Sequence, residues 1–323
     1  MKAVRVAIGL AVSAAFAWAT LSRVDLAATR QALASAALPG LALAMAFVWL
    51  EIAVRAWRWR FLLSPLGKVG YGDAFCYTCV GYFANAMLPM RFGDVARAYL
   101  AATALGISRL ATLGSVVTER LADGLTIVVV AAGLGLVVMN ASTMAGLEVW
   151  LVAAAVALGV IVALFALVAR RRRAIAALLP ERARGLLARF ALGAAAANSP
   201  KGAATIVGST LAAYACAVGA LVAVAGSVGL HLTLAQAAFA MAWIGLSTAI
   251  PAAPGSIGTY EFVGVSVLTI FGQDPATALA AVVLLHAIGT LPVAVVGLMM
   301  TWVLHLRLWR LGGSNSLVPL EVS

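Results

Sequence analysis

The chain is short of nearly everything from which soluble active sites are built. Of its 323 residues 11 are acidic, three are histidine and three are cysteine, and charged residues make up only 10%. There is no D-x-D cluster, no H-E-x-x-H and no G-x-x-x-x-G-K-[ST]. A bound nucleotide as energy source is therefore not expected, and neither is a zinc hydrolase. Nor is there a loop long enough to bind a nucleotide sugar. Cys76 and Cys79 form a C-x-x-C, but within an apolar segment and without the second pair that a zinc site needs. The cysteines read as small packing residues with no disulfide framework. No cofactor and no metal is expected.

What is abundant is apolar. Hydrophobic residues make up 64% of the chain, far from the soluble balance. Several stretches run close to 20 residues without a charge, the length that crosses a bilayer core. The chain reads as an all-α polytopic membrane protein. Six full spans are expected at about 3–22, 38–60, 110–139, 148–169, 203–228 and 276–304. Segments at about 73–90 and 235–250 are short for a span and end in Pro/Gly breaks, so they read as two re-entrant helices. Lys2, Arg5 and the apolar run to Leu21 imitate a signal peptide, but the run reads better as a retained first span. One membrane domain over 1–310 and a short cytoplasmic tail over 311–323 follow.

The net charge of +11 does not point to nucleic acid. Basic residues outside the spans mark the cytoplasmic side. Arg170 to Arg173 with Arg182, Arg184 and Arg189, the group from Arg55 to Lys68, and Arg307 and Arg310 all fall inside if six spans start from a cytoplasmic N-terminus. Arg91, Arg97 and Arg109 count with them, and only Arg23 and Arg30 fall clearly outside. Localisation in the inner membrane, with both termini cytoplasmic, is the expectation. This parity places halves of about 1–145 and 146–310 in opposite orientations, a 3+3 inverted repeat. Setting Pro89 on Pro251 and Gly93 on Gly255 supports it, and Leu105-Gly106 later matches Phe271-Gly272. Paired broken segments in corresponding places point to a transporter site.

Seven charges crowd between Arg91 and Asp123. Each costs roughly 2.5–3.5 kcal/mol at membrane depth on insertion scales, so such groups face protein or a wet cavity. Pro89 ends the preceding helix and Gly93 permits a tight path. Asp94 suits the positive end of the next helix and neighbours Arg97 at i,i+3. Arg91 sits in the break, where a guanidinium can fork onto a phosphate. Glu119 and Asp123 share one helix face, with Arg120 about 100° round. An ion pair from Glu119 or Asp123 to Arg91 or Arg97 would tie the segments together. The second break runs from Ile250 through Pro251, Pro254, Gly255 and Gly258 to Glu261, which favours the start of the following helix. His286 is the only deeply placed histidine and reads as a hydrogen-bonded core residue. Glu51 and Arg55 are spaced for a pair, and Arg55 and Arg58 read as snorkelling to the interface. Trp57, Trp59 and Trp302 fit interfacial belts.

These motifs resemble the flippase-like membrane domain of lysylphosphatidylglycerol synthases, known also as stand-alone proteins. The resemblance rests on Leu88-Pro89 with Arg91, Gly93, Asp94 and Arg97, then Glu119-Arg120 with Asp123, then Pro251, Pro254-Gly255, Gly258 and Glu261. It covers about residues 40–300. The first acid of the family motif is commonly Glu, where this chain has the shorter Asp94. The resemblance implies a domain that moves or presents lipids, with membrane lipids as partners and possible association with itself or with lipid-pathway enzymes. The aminoacyl-transferring members carry a soluble domain absent from these 323 residues, so lysine transfer is not expected of this chain alone. A lipid translocase is the leading expectation. An integral-membrane lipid-modifying enzyme and a non-catalytic subunit of a lipid or hopanoid pathway are the alternatives. In the translocase reading Arg91, Arg97 and Arg120 attract an anionic headgroup, while Glu119 and Asp123 hold the arginines or couple to protons.

Overall fold

The computed structural model describes residues 2–88, 92–138, 156, 159, 180–250 and 252–312, with side chains to Leu304 at the C-terminal end. All regular structure within them is helical. In chain order the helices are α1 (Lys2–Leu21), α2 (Leu26–Ala34), α3 (Leu38–Leu63), α4 (Tyr71–Met87), α5 (Phe92–Leu105), α6 (Arg109–Val138), α7 (Glu181–Leu192), α8 (Pro200–Ser227), α9 (Leu234–Ser247), α10 (Thr259–Ile270) and α11 (Pro275–Gly312). The expected span at 148–169 lies outside the described residues apart from two positions, as do Pro89, Arg91, Pro251 and the tail beyond residue 312.

Among the described residues three helices are long and apolar enough to cross a membrane: Leu38–Leu63, Pro200–Ser227 and Pro275–Leu304. The first expected span, 3–22, falls on α1, and a bend follows it. Gly9–Leu21 and Leu26–Ala34 meet at 87°, because Asp25 stops one helix and caps the next by accepting from the amides of Ala27 and Ala28. α6 has 30 residues, about 45 Å of helix, with its charges confined to the first half.

Local chemistry explains the other ends. Pro200 opens α8 behind the Ser199 cap, and Thr233 and Gln236 form a capping box on α9. α5 and α10 both end at a glycine with positive φ, Gly106 at 65° and Gly272 at 76°. The matched pair Leu105-Gly106 and Phe271-Gly272 thus sits at equivalent helix ends. The two breaks differ around the aligned glycines. α5 begins at Phe92, directly after the break, whereas the second break adds a 3-10 turn at Pro254–Ser256 before α10 begins at Thr259.

Both broken segments are helical hairpins. α5 folds back along α4 so closely that a β-carbon at Gly93 would collide with the Gly81 carbonyl and stand 2.5 Å from the Asn85 nitrogen. α9 and α10 pack likewise, with Ile244 facing Gly264. Around them the long helices pair crosswise. α3 lies along α8, α4 packs on α11, and α9 packs on α6. Small residues permit the first of these contacts: Gly40 of α3 meets Ala223 and Ser227 of α8. The core, which includes Ala44, Val48, Leu221, Phe239, Leu268 and Val282, lies where these helices meet.

α1 is built into the second break. Ser13 Oγ accepts the Ala253 amide at 2.8 Å, Phe16 packs on Phe262 at 4.8 Å, and Gly258 lies against the Ser13 carbonyl. Loss of that hydroxyl orphans a backbone donor, so Ser13→Ala is expected to lower stability by about 1–2 kcal/mol. Thermal unfolding in detergent reads this out, and an unchanged midpoint would show that the amide has another acceptor.

Cys79 and Cys216 are buried free thiols and Cys76 is partly buried, in keeping with packing roles. The tryptophans divide. Trp57 and Trp302 are exposed as an interfacial belt requires, but Trp59 is fully buried. It donates to Ser115 Oγ at 3.2 Å and lies under the Arg97 guanidinium. Trp57 looks outward because helix positions two apart do not share a face.

Candidate functional site

Eight of the charges gather into one network on three helices, joined by a hydroxyl from a fourth. Glu51, Arg55 and Arg58 project from α3 at i, i+4 and i+7, a single helix face. Asp94 and Arg97 come from the first turns of α5, and Glu119, Arg120 and Asp123 from the middle of α6. Thr210 of α8 closes the group.

Arg58 lies at the centre. It donates to Asp123 Oδ1 at 2.7 Å, to Glu119 Oε1 at 3.1 Å and to Thr210 Oγ1 at 2.6 Å. Arg55 bridges Glu51 at 2.7 Å and Asp123 at 2.8 Å. Arg97 donates to the other oxygen of Glu119 at 2.9 Å and stands 3.6 Å from Asp94. Arg120 approaches Asp94 at 3.2 Å, Glu119 at 3.4 Å and Asp123 at 3.5 Å. Four carboxylates and four guanidiniums are therefore matched, and the network is neutral. Buried charges persist only when paired and hydrogen-bonded in this way. Arg58, Arg97 and Glu119 are no more than 1% exposed.

The geometry settles several expectations. The tie between the first hairpin and α6 is present as Arg97 to Glu119. The Glu51–Arg55 pair is present too. Snorkelling of Arg58 is overturned: its head turns inward because Glu119, Asp123 and Thr210 await it there. Arg55, Arg58 and Arg97 are internal partners, so they carry no information on membrane sidedness. Arg97 and Arg120 are already held by carboxylates, and an anion reaching them competes with those contacts. Arg91 lies outside the described residues.

The second break forms its own cluster. Glu261 Oε2 accepts the Gly258 amide at 2.6 Å, while Oε1 lies 2.5 Å from His286 Nδ1 on α11. His286 Nε2 lies 2.9 Å from the Gly255 carbonyl, and the Tyr260 ring stacks on the imidazole at 4.2 Å. Gly255 and Gly258 hold φ of 71° and 91°, which is what keeps the turn tight enough for both contacts. Pro254 supplies the first residue of that turn.

The two clusters face one cavity of about 420 Å³. Glu51, Arg55, Arg120 and Asp123 line one side, and Gly255, Ser256, Tyr260 and His286 line the other. Tyr82 and Asn85 from α4, Thr248 after α9 and Gly289 and Thr290 from α11 complete the wall. The broken segments thus bring residues far apart in sequence to one chamber of mixed lining, in which charged and hydroxyl groups stand among apolar side chains. Asp94, Arg97 and Glu119 stand behind it and position its charged wall. Among the described residues no group of three or more His, Cys, Asp or Glu is placed to hold a metal ion.

Arg58 and His286 were not singled out as site residues by sequence reasoning. The one-face spacing of Glu51, Arg55 and Arg58 was the available signal for the first. For the second there was none beyond a histidine at membrane depth, since its partner is 25 residues away.

No curated protein matches the chain. A family model does, over residues 6–297, and its description is lysylphosphatidylglycerol synthase TM region. Match and architecture agree, for the matched stretch contains the three membrane-length helices, nearly complete, together with both hairpins and both clusters. The chain belongs to the family of the lysylphosphatidylglycerol synthase transmembrane region.

Proposed function

We propose that this membrane domain is a lipid translocase, moving an amphiphilic lipid or lipid-linked precursor between leaflets. The observation that carries the reading is the chamber between the two broken segments, whose largely apolar wall carries charged and hydroxyl side chains on facing sides. A headgroup costs several kcal/mol to drag through hydrocarbon without hydrogen-bonding partners. A path lined by Asn85, Thr248, Ser256, Thr290 and the charged network lowers that cost while the acyl tail stays in lipid. The described carboxylates of the network are all matched by arginines, which favours transport over a metal-dependent transferase. Inner-membrane residence with cytoplasmic termini fits the same reading.

The two hairpins, the crosswise packing of α4 on α11 and α9 on α6, and the matched Gly106 and Gly272 ends further support an inverted repeat. In such proteins the site lies near the midplane between the repeats.

The test is movement of labelled lipids in liposomes holding the full chain. A β-carbon at Gly289 meets nothing within 4 Å, and the residue lines the chamber. Gly289→Leu is therefore expected to fold normally, fill the chamber and slow movement at least about tenfold, a barrier increase of about 1.4 kcal/mol. No movement of phospholipid, polyprenyl-phosphate or glycolipid probes by the parent would sink the translocase reading. Equal movement by parent and variant would move the path elsewhere.

A further inference from the structure

The contacts of His286 constrain where its protons sit. Nε2 faces a carbonyl oxygen, Gly255 O at 2.9 Å, which accepts only, so Nε2 carries hydrogen. Nδ1 faces the carboxylate of Glu261 at 2.5 Å. Two bare lone pairs repel at that distance, so a proton lies between them, whichever atom it is closer to. Imidazole with hydrogen on Nε2 plus a bare carboxylate would carry one negative charge. With the shared proton the pair is neutral, which is the state a membrane interior favours.

We propose that the Glu261–His286 pair is a proton-binding site, and that the bound proton locks the second broken segment against α11. The lock is visible in the remaining bonds. Glu261 also holds the Gly258 amide, and His286 also holds the Gly255 carbonyl, so the pair pins both ends of the turn between those glycines. The shared proton leaves by transfer to a water molecule in the chamber, which Tyr260 and His286 line. The pair then carries a negative charge, the Nδ1 lone pair faces an ionised oxygen, and the contact opens. Return of a proton from water closes it.

The surroundings leave this pair as the exchangeable one. Tyr82 of α4, Glu51 and Arg55 of α3, and Arg120 and Asp123 of α6 face it across the chamber. Those four charged groups are held in the arginine–carboxylate network. α9 and the described side chains of α1 contribute no ionisable group, Tyr214 of α8 is engaged with the Ala238 carbonyl, and Arg30 of α2 is exposed. The proton-linked role expected of Glu119 and Asp123 therefore passes to Glu261 and His286.

The proton site stands on its own geometry, while its coupling to cargo rests on the translocase reading. The first measurement is nitrogen NMR of the full chain in lipid nanodiscs with labelled histidine rings, beside infrared spectroscopy of the carboxyl groups. A ring with hydrogen on both nitrogens beside Glu261 is expected, as the two acceptor contacts require, and Glu261→Gln is expected to leave Nδ1 bare. A neutral ring with bare Nδ1 beside an ionised Glu261 would overturn the proposal. The second measurement is lipid movement in liposomes under an imposed pH difference. One coupled proton biases the distribution by about tenfold per pH unit, and His286→Gln is expected to move lipid without that bias. Movement by the parent that ignores the pH difference would overturn the coupling and spare the translocase. A shared proton in a protein that moves no lipid would spare the proton site and sink the translocase.

Discussion

Arg58→Met is expected to be among the most destabilising single substitutions in the protein, by about 3–5 kcal/mol. Methionine keeps much of the volume but removes the donors to Glu119, Asp123 and Thr210. The loss leaves the network with an excess negative charge, in part on the buried Glu119. Arg58→Lys is expected to cost less than the methionine variant but still to be clearly destabilising. It restores the charge without the planar fork that reaches two carboxylates at once. Arg58→Met with Asp123→Asn restores neutrality and should recover part of the loss, a non-additivity that identifies the pair. Unfolding in mixed micelles measures all three. A stability loss under about 1 kcal/mol for Arg58→Met would show that the carboxylates find other partners, and the central place given to Arg58 would fall.

Gly93→Ala is expected to open the first hairpin. The new methyl group would overlap the Gly81 carbonyl and press within 2.5 Å of the Asn85 nitrogen. Both are backbone atoms of α4, so no side-chain rotation relieves the clash and α5 has to move away. Overpacking of this kind costs about 1–3 kcal/mol in well-packed interiors. The displacement also draws Arg97 from Glu119, so function should fall further than stability. Gly133→Ala is the control. It sits in α6 with nothing within 4 Å of a new β-carbon, and helix propensity alone predicts a gain of about 0.5–1 kcal/mol. If Gly93→Ala matched Gly133→Ala in stability and in transport, the close approach of α4 and α5 would not be needed.

The architecture was legible where periodic apolar runs and breakers carry it. The spans that became α3, α8 and α11, both breaks, and the glycine ends of α5 and α10 follow from runs, prolines and glycines that act locally. The site was legible only in part. Arg97 and Glu119 announced themselves as charges within apolar sequence, and the structure joins them. Arg58 was concealed by its setting. It lies between Trp57 and Trp59 near the basic end of a helix, where arginines commonly reach outward, and only the carboxylates 61 and 65 residues away turn it inward. The pairing of His286 with Glu261 likewise depends on how α10 meets α11, a tertiary fact with no periodic trace. The alignment sets Gly93, inside α5, against Gly255, in a 3-10 turn before α10, a local difference that the sequence match does not reveal.

The spread of the charged network along the chain bears on how the protein is made. When α3 emerges during synthesis it carries Glu51, Arg55 and Arg58, but the partners of Arg58 follow 61, 65 and 152 residues later. Arg55 has a local partner, Glu51, and Arg60 reaches the Val69 carbonyl, whereas Arg58 has no partner on α3. Arg58 lies near the end of α3, where an arginine without a partner can reach the interface. Its head therefore turns inward only once α6 and α8 have followed it into the bilayer. The order of birth along the chain and the order in which the charged network closes are thus different in this protein.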